Sequence, residues 1–335
     1  MARVTMAVVA KEAGVSKSTV SQFLNGRFEY MGEDTRKKID EAIKKLGYQP
    51  NYLARSLKQK RTSMIGVIVG NIMHRLSTEV SRSIEDYCHE HNMQAIICNA
   101  DDNPEKEKKY IEVLRAKQVD GLIIFPTGQN VELYKSMIEE GYPVVFMDRK
   151  VDGLKVNSVL AANIEATAES MRHLISNGHK RIAIATQPLS TSPRIDRLHG
   201  YKQALNEASL PVRAEYMVHS DIKKMKQELD KLICLQEPPT ALFAGNDLVF
   251  LEVLEFLKEK RIKIGRDIAL VVFDNIPFAH LVETPVTTIA QPGYEMGQKA
   301  AEVLLQQIKE DTQGFHEYVF PCELVIRESS QKIDE

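Results

Sequence analysis

Two short apolar-periodic runs open the chain, Val4 to Ala13 and Val15 to Leu24, parted by Gly14. The pattern predicts a helix pair joined by a tight turn. Ala10 is small enough for crossing helices to approach, Gly14 suits a turn of positive φ, and Val15 and Val20 fill the space between them. Ser16 is placed to cap a second helix that begins at Lys17. The same spacing also fits an ordinary helical hairpin. From Glu33 to Gly47 acids lead, lysines trail and Ile39, Ala42, Ile43 and Leu46 form one stripe, which predicts a third helix closing a three-helix core. Gln49 to Arg61 is helix-prone but too short to be stable alone, a hinge in character.

From Met64 the pattern changes to short apolar strands alternating with amphipathic helices. Strands are predicted at Met64–Val69, Gln94–Asn99, Gly121–Phe125, Val144–Met147, Arg181–Ala185, Ala241–Ala244 and Ile268–Phe273. Helices are predicted at Thr78–Glu90, Pro104–Lys117, Ile164–Asn177 and Leu248–Lys260. The expected class is therefore α/β: a three-helix helix-turn-helix head with a hinge helix, then two doubly wound α/β lobes. The expected boundaries are 1–48 for the head, 49–61 for the hinge and 62–330 for the body. Within the body, 62–161 with 291–320 forms one lobe and 162–290 with 321–330 the other. Ligands of such sheets bind beyond the carboxyl ends of the strands, so a cleft between facing lobes is the expected site.

Charge separates the parts. Residues 1–61 carry 13 basic and 6 acidic side chains, a net +7, while the remainder carries a net −9, a split hidden in the overall −2. A basic head on an acidic body is the footprint of a nucleic-acid module, because phosphate neutralisation supplies most non-specific affinity. The alternative is a solvated basic face without a ligand. The start lacks the apolar stretch of a secretory signal and no run of bilayer-spanning length occurs, so a cytoplasmic protein with no membrane partner is expected. Cys88, Cys98, Cys234 and Cys322 are scattered, against both a disulfide framework and a zinc module. Cys88-His89-Glu90-His91 cannot converge on one ion, since helical neighbours point apart. No metal and no cofactor are expected.

Ordered blocks then carry a resemblance. Val4-Thr5, Val9-Ala10, Ala13-Gly14-Val15-Ser16, Thr19-Val20-Ser21 and Leu24-Asn25 are followed by Tyr48-Gln49-Pro50-Asn51 and Ala54-Arg55-Ser56-Leu57. Asp148-Arg149, Gly178 to Ile182, Arg197 to Tyr201, Asn246-Asp247, Phe273-Asp274-Asn275 and Gln291-Pro292 come next. In this order they resemble the LacI/GalR family of bacterial transcriptional regulators over essentially the whole chain, with a body similar to periplasmic binding proteins. The resemblance implies that Lys17, Ser18 and Gln22 face the major groove and choose operator bases. Independently, the three share one helical face, and Gln can pair with adenine while Lys donates to guanine. Thr5, Ser16, Thr19, Ser21 and Asn25 are expected to hold phosphates, with simple capping and solvation open for each. The resemblance further implies that Leu57 wedges into the minor groove with Ala54 against its floor, a packing contact with the body being the alternative for Leu57.

In the body, the resemblance assigns Arg149, Arg197, Asn246, Asp247, Asp274 and Gln291 to an effector cleft. A lobe-bridging role for Arg149 and a helix cap for Asp274 stay open. The family's aromatic pair after the first strand is replaced by Asn71-Ile72-Met73-His74-Arg75-Leu76, so His74 and Arg75 bring cationic groups, and Arg194 adds another beside Arg197. With no tryptophan to stack on a sugar face, a sugar acid or phosphorylated sugar is the expected effector. Arg27-Phe28-Glu29-Tyr30-Met31 is similar to repressors of ketogluconate and related sugar-acid genes in Gram-positive bacteria. Val8 stands where the family usually has a polar residue.

The expectation is a ligand-controlled repressor of carbohydrate catabolism genes, binding a palindromic operator as a homodimer. An enzyme is the second reading, although no Gly-rich phosphate loop, Gly-x-Ser-x-Gly elbow or zinc spacing is found. A transport-type sugar-binding protein is the third, opposed by the basic head. No heptad tail follows Arg327, so a tetramer through a terminal coiled coil is not expected.

Overall fold

The computed structural model describes residues 4–29, 31–49, 61–309 and 314–331. The contacts divide the chain into two compact units, Met1–Thr62 and Ser63–Glu335. In the first, α1 (Met6–Ala13), α2 (Lys17–Leu24) and α3 (Glu33–Leu46) form a three-helix head. Gly14 ends α1 at φ 65, a left-handed conformation open to glycine, and Val15 N–H then reaches back to the Ala10 carbonyl at 3.0 Å. Val9, Ala10, Ala13, Val20, Ile39 and Ala42 make the core, with Ile43 and Leu46 packed against it. Burying Val20 completely contributes roughly 1.5–3 kcal/mol. Val8 points to solvent, so an apolar residue there leaves the core packing unaffected. The loop between α2 and α3 is tied down by Arg36, which donates to the carbonyls of Phe28 and Met31 at 2.8 and 3.1 Å and covers the Phe28 ring. Ala54 and Leu57 of the hinge lie outside the described residues.

The second unit is built from two sheets. In chain order come β1 (Met64–Val69), α4 (Arg75–Glu90), β2 (Gln94–Asn99), α5 (Pro104–Ala116), β3 (Gly121–Ile124), α6 (Val131–Glu139), β4 (Val144–Met147) and β5 (Asn157–Ala161). Then follow α7 (Asn163–Ser176), β6 (Ile182–Thr186), α8 (Ser192–Glu207), β7 (Met217–His219), α9 (Ile222–Ile233), β8 (Ala241–Ala244), α10 (Asp247–Glu259), β9 (Ala269–Phe273) and β10 (Thr287–Ala290). The chain closes with α11 (Gly293–Lys309), β11 (Glu317–Phe320) and β12 (Glu323–Val325).

The strand orders are β11-β5-β4-β3-β1-β2 and β12-β10-β9-β8-β6-β7, the same winding used twice. The first sheet is parallel throughout; in the second only β12 runs antiparallel, against β10. Helices on both faces explain why β3, β4, β8 and β9 are buried along their whole length. The chain passes between lobes three times, after β5, β10 and β11. Three strand-end crossings place the carboxyl ends of both central strands, β4 and β9, at one cleft.

The predicted strands and helices appear within a residue or so of their expected bounds, apart from α4, which begins at Arg75 rather than Thr78. Leu76 turns into the first lobe's core and fixes that earlier start. Among the described residues no helix is long and apolar enough to cross a membrane.

Candidate functional site

The two lobes end β4 and β9 in the same way. Asp148 and Asp274 follow directly, both left-handed at φ 66 and 95, and each N–H bonds the neighbouring strand, at Val159 and Ile289. Such backbone persists only where its surroundings hold it, and here it aims two carboxylates into the cleft. A pocket of about 40 Å³ opens there, walled by His74, Ser77, Phe125, Asp148 and Arg149 of the first lobe. Thr191, Arg194, Arg197, Asn246 and Asp274 of the second lobe and Gln291 at the second crossing complete it. The charged and polar lining suits a small polar ligand.

Each polar group has a definable load. Arg197 is 5 % exposed and donates from Nε to Asn163 Oδ1 at 2.9 Å and from Nη1 to the Gly245 carbonyl at 2.6 Å. Its guanidinium lies 3.6 Å from the centroid of the Phe273 ring. Among the described residues no carboxylate stands within ion-pair distance of it, so its hydrogen-bond partners are all neutral and the Asp274 charge acts on it only from farther off. Arg149 and Arg194 instead share the Asp102 carboxylate, at 2.7 and 2.9 Å. Burial works to raise Asp102, but the two guanidiniums outweigh it and hold the carboxyl below the usual range.

A second chain of bonds crosses the lobes. His74 Nδ1 meets Asp247 Oδ1 at 2.6 Å, and the Arg75 N–H, at the start of α4, donates to Asp247 Oδ2 at 2.6 Å. Burial opposes ionisation of Asp247, yet the His74 contact and the backbone N–H donors more than offset it and lower its pKa. The Asp247 N–H donates to Asp274 Oδ2 at 3.2 Å, and Gln291 Nε2 to Asp274 Oδ1 at 2.6 Å. Burial, followed by the Asp247 charge, pushes Asp274 up to about 6. Asp148 Oδ1, Arg149 Nε and Gln291 Oε1 are buried without a protein hydrogen-bond partner among the described residues. Unsatisfied groups gathered round one pocket fit a polar ligand.

Of the residues expected at the cleft, His74, Arg149, Arg194, Arg197, Asn246, Asp274 and Gln291 line this pocket. Asp247 stands behind His74. The Arg75 side chain is not among those walls; it lies 3.7 Å from Glu79 and lines an adjoining pocket together with Asp274, Asn275 and Gln291. Asn246 is occupied at both ends, its Oδ1 capping α10 at Val249 N–H and its Nδ2 donating to Gln187 Oε1. Sequence reasoning missed Asp102, Asp148 and Gln187. The first sits in a loop after a strand's carboxyl end, where the open-sheet rule directs attention.

On the head, Lys17, Ser18 and Gln22 are exposed on α2. Thr5 is exposed and precedes α1 without a side-chain capping bond. Ser16 caps α2, accepting from Thr19 N–H at 3.1 Å, and its hydroxyl also touches those of Ser18 and Thr19. Asn25 Nδ2 closes the other end of α2 on the Ser21 carbonyl at 2.7 Å.

Comparison with known proteins agrees with this geometry. A family model described as bacterial regulatory proteins, lacI family, matches residues 5–51, and one described as periplasmic binding proteins and sugar binding domain of LacI family matches 62–328. The probable HTH-type transcriptional regulator EndR of Paenibacillus polymyxa is 45 % identical over 93 % of each chain. The HTH-type transcriptional regulator KdgR of Bacillus subtilis (strain 168) is 32 % identical over 97 % of each. Among solved structures, the lac repressor dimer bound to operator and the anti-inducer ONPF has a TM-score of 0.85 at 25 % identity, covering 98 % of this chain and 100 % of that one. The complex of the transcriptional regulator CelR with cellobiose has 0.72 at 26 %, with the same coverage. The chain thus belongs to the lacI family of bacterial regulatory proteins, DNA-binding transcriptional regulators whose larger unit is a periplasmic-binding-protein-like sugar-binding domain.

Proposed function

We propose that this regulator is a cytoplasmic repressor of carbohydrate catabolism genes that binds a palindromic operator as a homodimer and answers to a sugar carrying an acid group. The observation that carries the effector class is Arg197, a buried guanidinium with neutral hydrogen-bond partners, beside two further arginines in one pocket. A planar cationic fork suits a carboxylate or phosphate, while the aspartates and Gln291 suit hydroxyls. Sugar acids and sugar phosphates screened by thermal shift, with every hit carried into an operator gel shift, test this reading. A neutral sugar as the sole hit contradicts it. We read the cleft as a binding site and not a reaction centre, so a ligand that alters the operator complex is expected back chemically unchanged after incubation.

The domain limits proposed are 1–48, 49–61 and 62–330. For the head, Lys17, Ser18 and Gln22 are proposed to read bases, with Thr5, Ser16, Thr19, Ser21 and Asn25 on phosphates. Ala54 and Leu57 are proposed for the minor groove. The exposure of the first three along one helix supports the assignment. Gln22→Ala is expected to relax operator choice at one base position, worth about 1–3 kcal/mol of discrimination, and to leave non-specific binding nearly intact. Gel shifts across single-base operator variants check it; a uniform loss over all sequences contradicts base reading.

The dimer reading is supported by apolar side chains left outside the cores. The second lobe presents Leu251, Phe278 and Leu281, the last 73 % exposed, and the first lobe presents Ile97 on edge strand β2 and Val113 on α5. Large apolar side chains left exposed in this way are material for an association surface. Leu281→Glu is expected to move the sedimentation profile toward monomer and to weaken operator binding at least about tenfold, because two heads no longer act as one ligand. An unchanged dimer rules out this face.

A further inference from the structure

The Asp102 carboxylate lies between guanidiniums of opposite lobes. Its Oδ1 is 2.7 Å from Nη2 of Arg149, just after β4 of the first lobe, and its Oδ2 accepts from Nη2 of Arg194 on α8 of the second at 2.9 Å. The surrounding backbone is shaped for this. Asp101 and Asp102 are both left-handed at φ 53, and Asp102 N–H donates to the Gly70 carbonyl at 2.7 Å. Gly70 leaves the room required: a Cβ there would fall 2.5 Å from Arg149 Nη2 and 2.8 Å from Asp102 Oδ1. Arg197, farther along the same wall, has no such carboxylate.

A carboxylate bridging two arginines is the arrangement that a ligand's own acid group would adopt. We propose that Asp102 is an internal stand-in for the acid group of the effector, and the residue that fixes specificity for anionic ligands. Resting on the cleft as effector site, the proposal adds how that site selects. A ligand with a carboxylate or phosphate takes Arg149 and Arg194 by displacing Asp102; a neutral sugar has nothing to exchange. Displacement also opens the Arg194–Asp102 bond, a tie between the lobes alongside His74–Asp247. Occupancy and lobe geometry are thereby linked, as a reciprocal coupling requires.

The test uses the full chain, in wild type, Asp102→Asn and Gly70→Ala. Each is titrated with sodium sulfate against sodium chloride at matched ionic strength and followed by thermal unfolding. Freed arginines are expected to bind sulfate saturably in Asp102→Asn, with apparent affinity at least about tenfold above wild type, whereas Gly70→Ala, whose Cβ crowds Arg149 Nη2, is expected to bind it more weakly than Asp102→Asn. D-glucuronate and D-glucose 6-phosphate then separate carboxylate from phosphate, and D-glucose is expected to distinguish none of the three proteins. Asp102→Ala repeats the comparison without the amide. Equal sulfate affinity in wild type and variants overturns the proposal, as does a gain for D-glucose matching that for D-glucuronate. Operator gel shifts form a separate readout: sulfate capture by Asp102→Asn, with no ligand altering the operator complex of any variant, keeps Asp102 as the arginines' counter-ion and overturns the effector reading of the cleft instead.

Discussion

Arg197→Met is expected to abolish the response of the operator complex to an acidic effector, with ligand affinity falling more than about a hundredfold, and to destabilise the larger unit by roughly 2 kcal/mol. Methionine fills part of the space over Phe273 but offers no donor. Asn163 Oδ1 and the Gly245 carbonyl, bonded at 2.9 and 2.6 Å, then lose their partner inside the protein. Against this, a cation with no carboxylate in contact is no longer buried, which returns some of the loss. Two orphaned acceptors at about 1–3 kcal/mol each outweigh that relief. Arg197→Lys separates charge from shape: one ammonium reaches either Asn163 or Gly245, not both, and cannot lie flat on the ring. It is expected to recover stability in part and ligand affinity hardly at all. Denaturant melts and gel shifts with the best screened acid check both variants. A methionine protein that keeps full ligand affinity removes Arg197 from the effector site.

The winding of both lobes was legible in the sequence because parallel strands covered on two faces are nearly continuous apolar runs, as in Gly121–Ile124 and Val144–Met147. Strands β5 and β10 were not, since Asn157, Ser158, Thr287 and Thr288 interrupt the pattern with buried polar groups that hydrogen bonds satisfy only in the fold. Helix α8 hid for a related reason. Arg194 and Arg197 share its buried side with Leu198, Tyr201 and Ala204, so the functional cations erase the apolar stripe that would announce a helix. The site itself was half legible: a residue type after a strand gives a candidate, but the pairing does not follow. Nothing in the spacing of Asp102, Arg149 and Arg194 brings them together; two loops of one lobe and a helix of the other do. Arg75 differs from its neighbour: one residue after His74 on a helix it faces another way, meeting Glu79 and lining an adjoining pocket with Asp274 and Gln291.

Asp274→Asn is expected to raise the stability of the larger unit at pH 7.5 by on the order of 2 to 3 kcal/mol, seen as roughly 4–8 °C in Tm, while weakening the effector more than about tenfold. The carboxyl rises from 3.8 to about 6 in the fold because burial and then the Asp247 charge disfavour its ionised form. The unfolded chain therefore releases its proton first as pH climbs past 4, and the folded chain follows only near 6. Stability drains away across that interval, and the full cost persists above it. Asparagine holds no proton, so the gap between the two proteins should open from pH 4 to 6 and stay level beyond. Asp196, also raised by burial, drains stability in the same direction, but alike in both proteins. Asp247 is shifted downward and acts below 3.8, and His173, His179 and His219, lowered chiefly by burial, weaken both proteins alike as pH falls below 6.5. The amide also has somewhere to go: its oxygen can keep the bond from the Asp247 N–H, and Gln291, turned over, offers Oε1, now without a partner, to the new NH₂ group. A carboxylate retained at such a cost, in left-handed backbone at φ 95, is spent on a ligand's hydroxyls and not on the fold. A less stable asparagine variant at pH 7.5, or a difference in Tm that ignores pH between 4 and 6, refutes that account of Asp274.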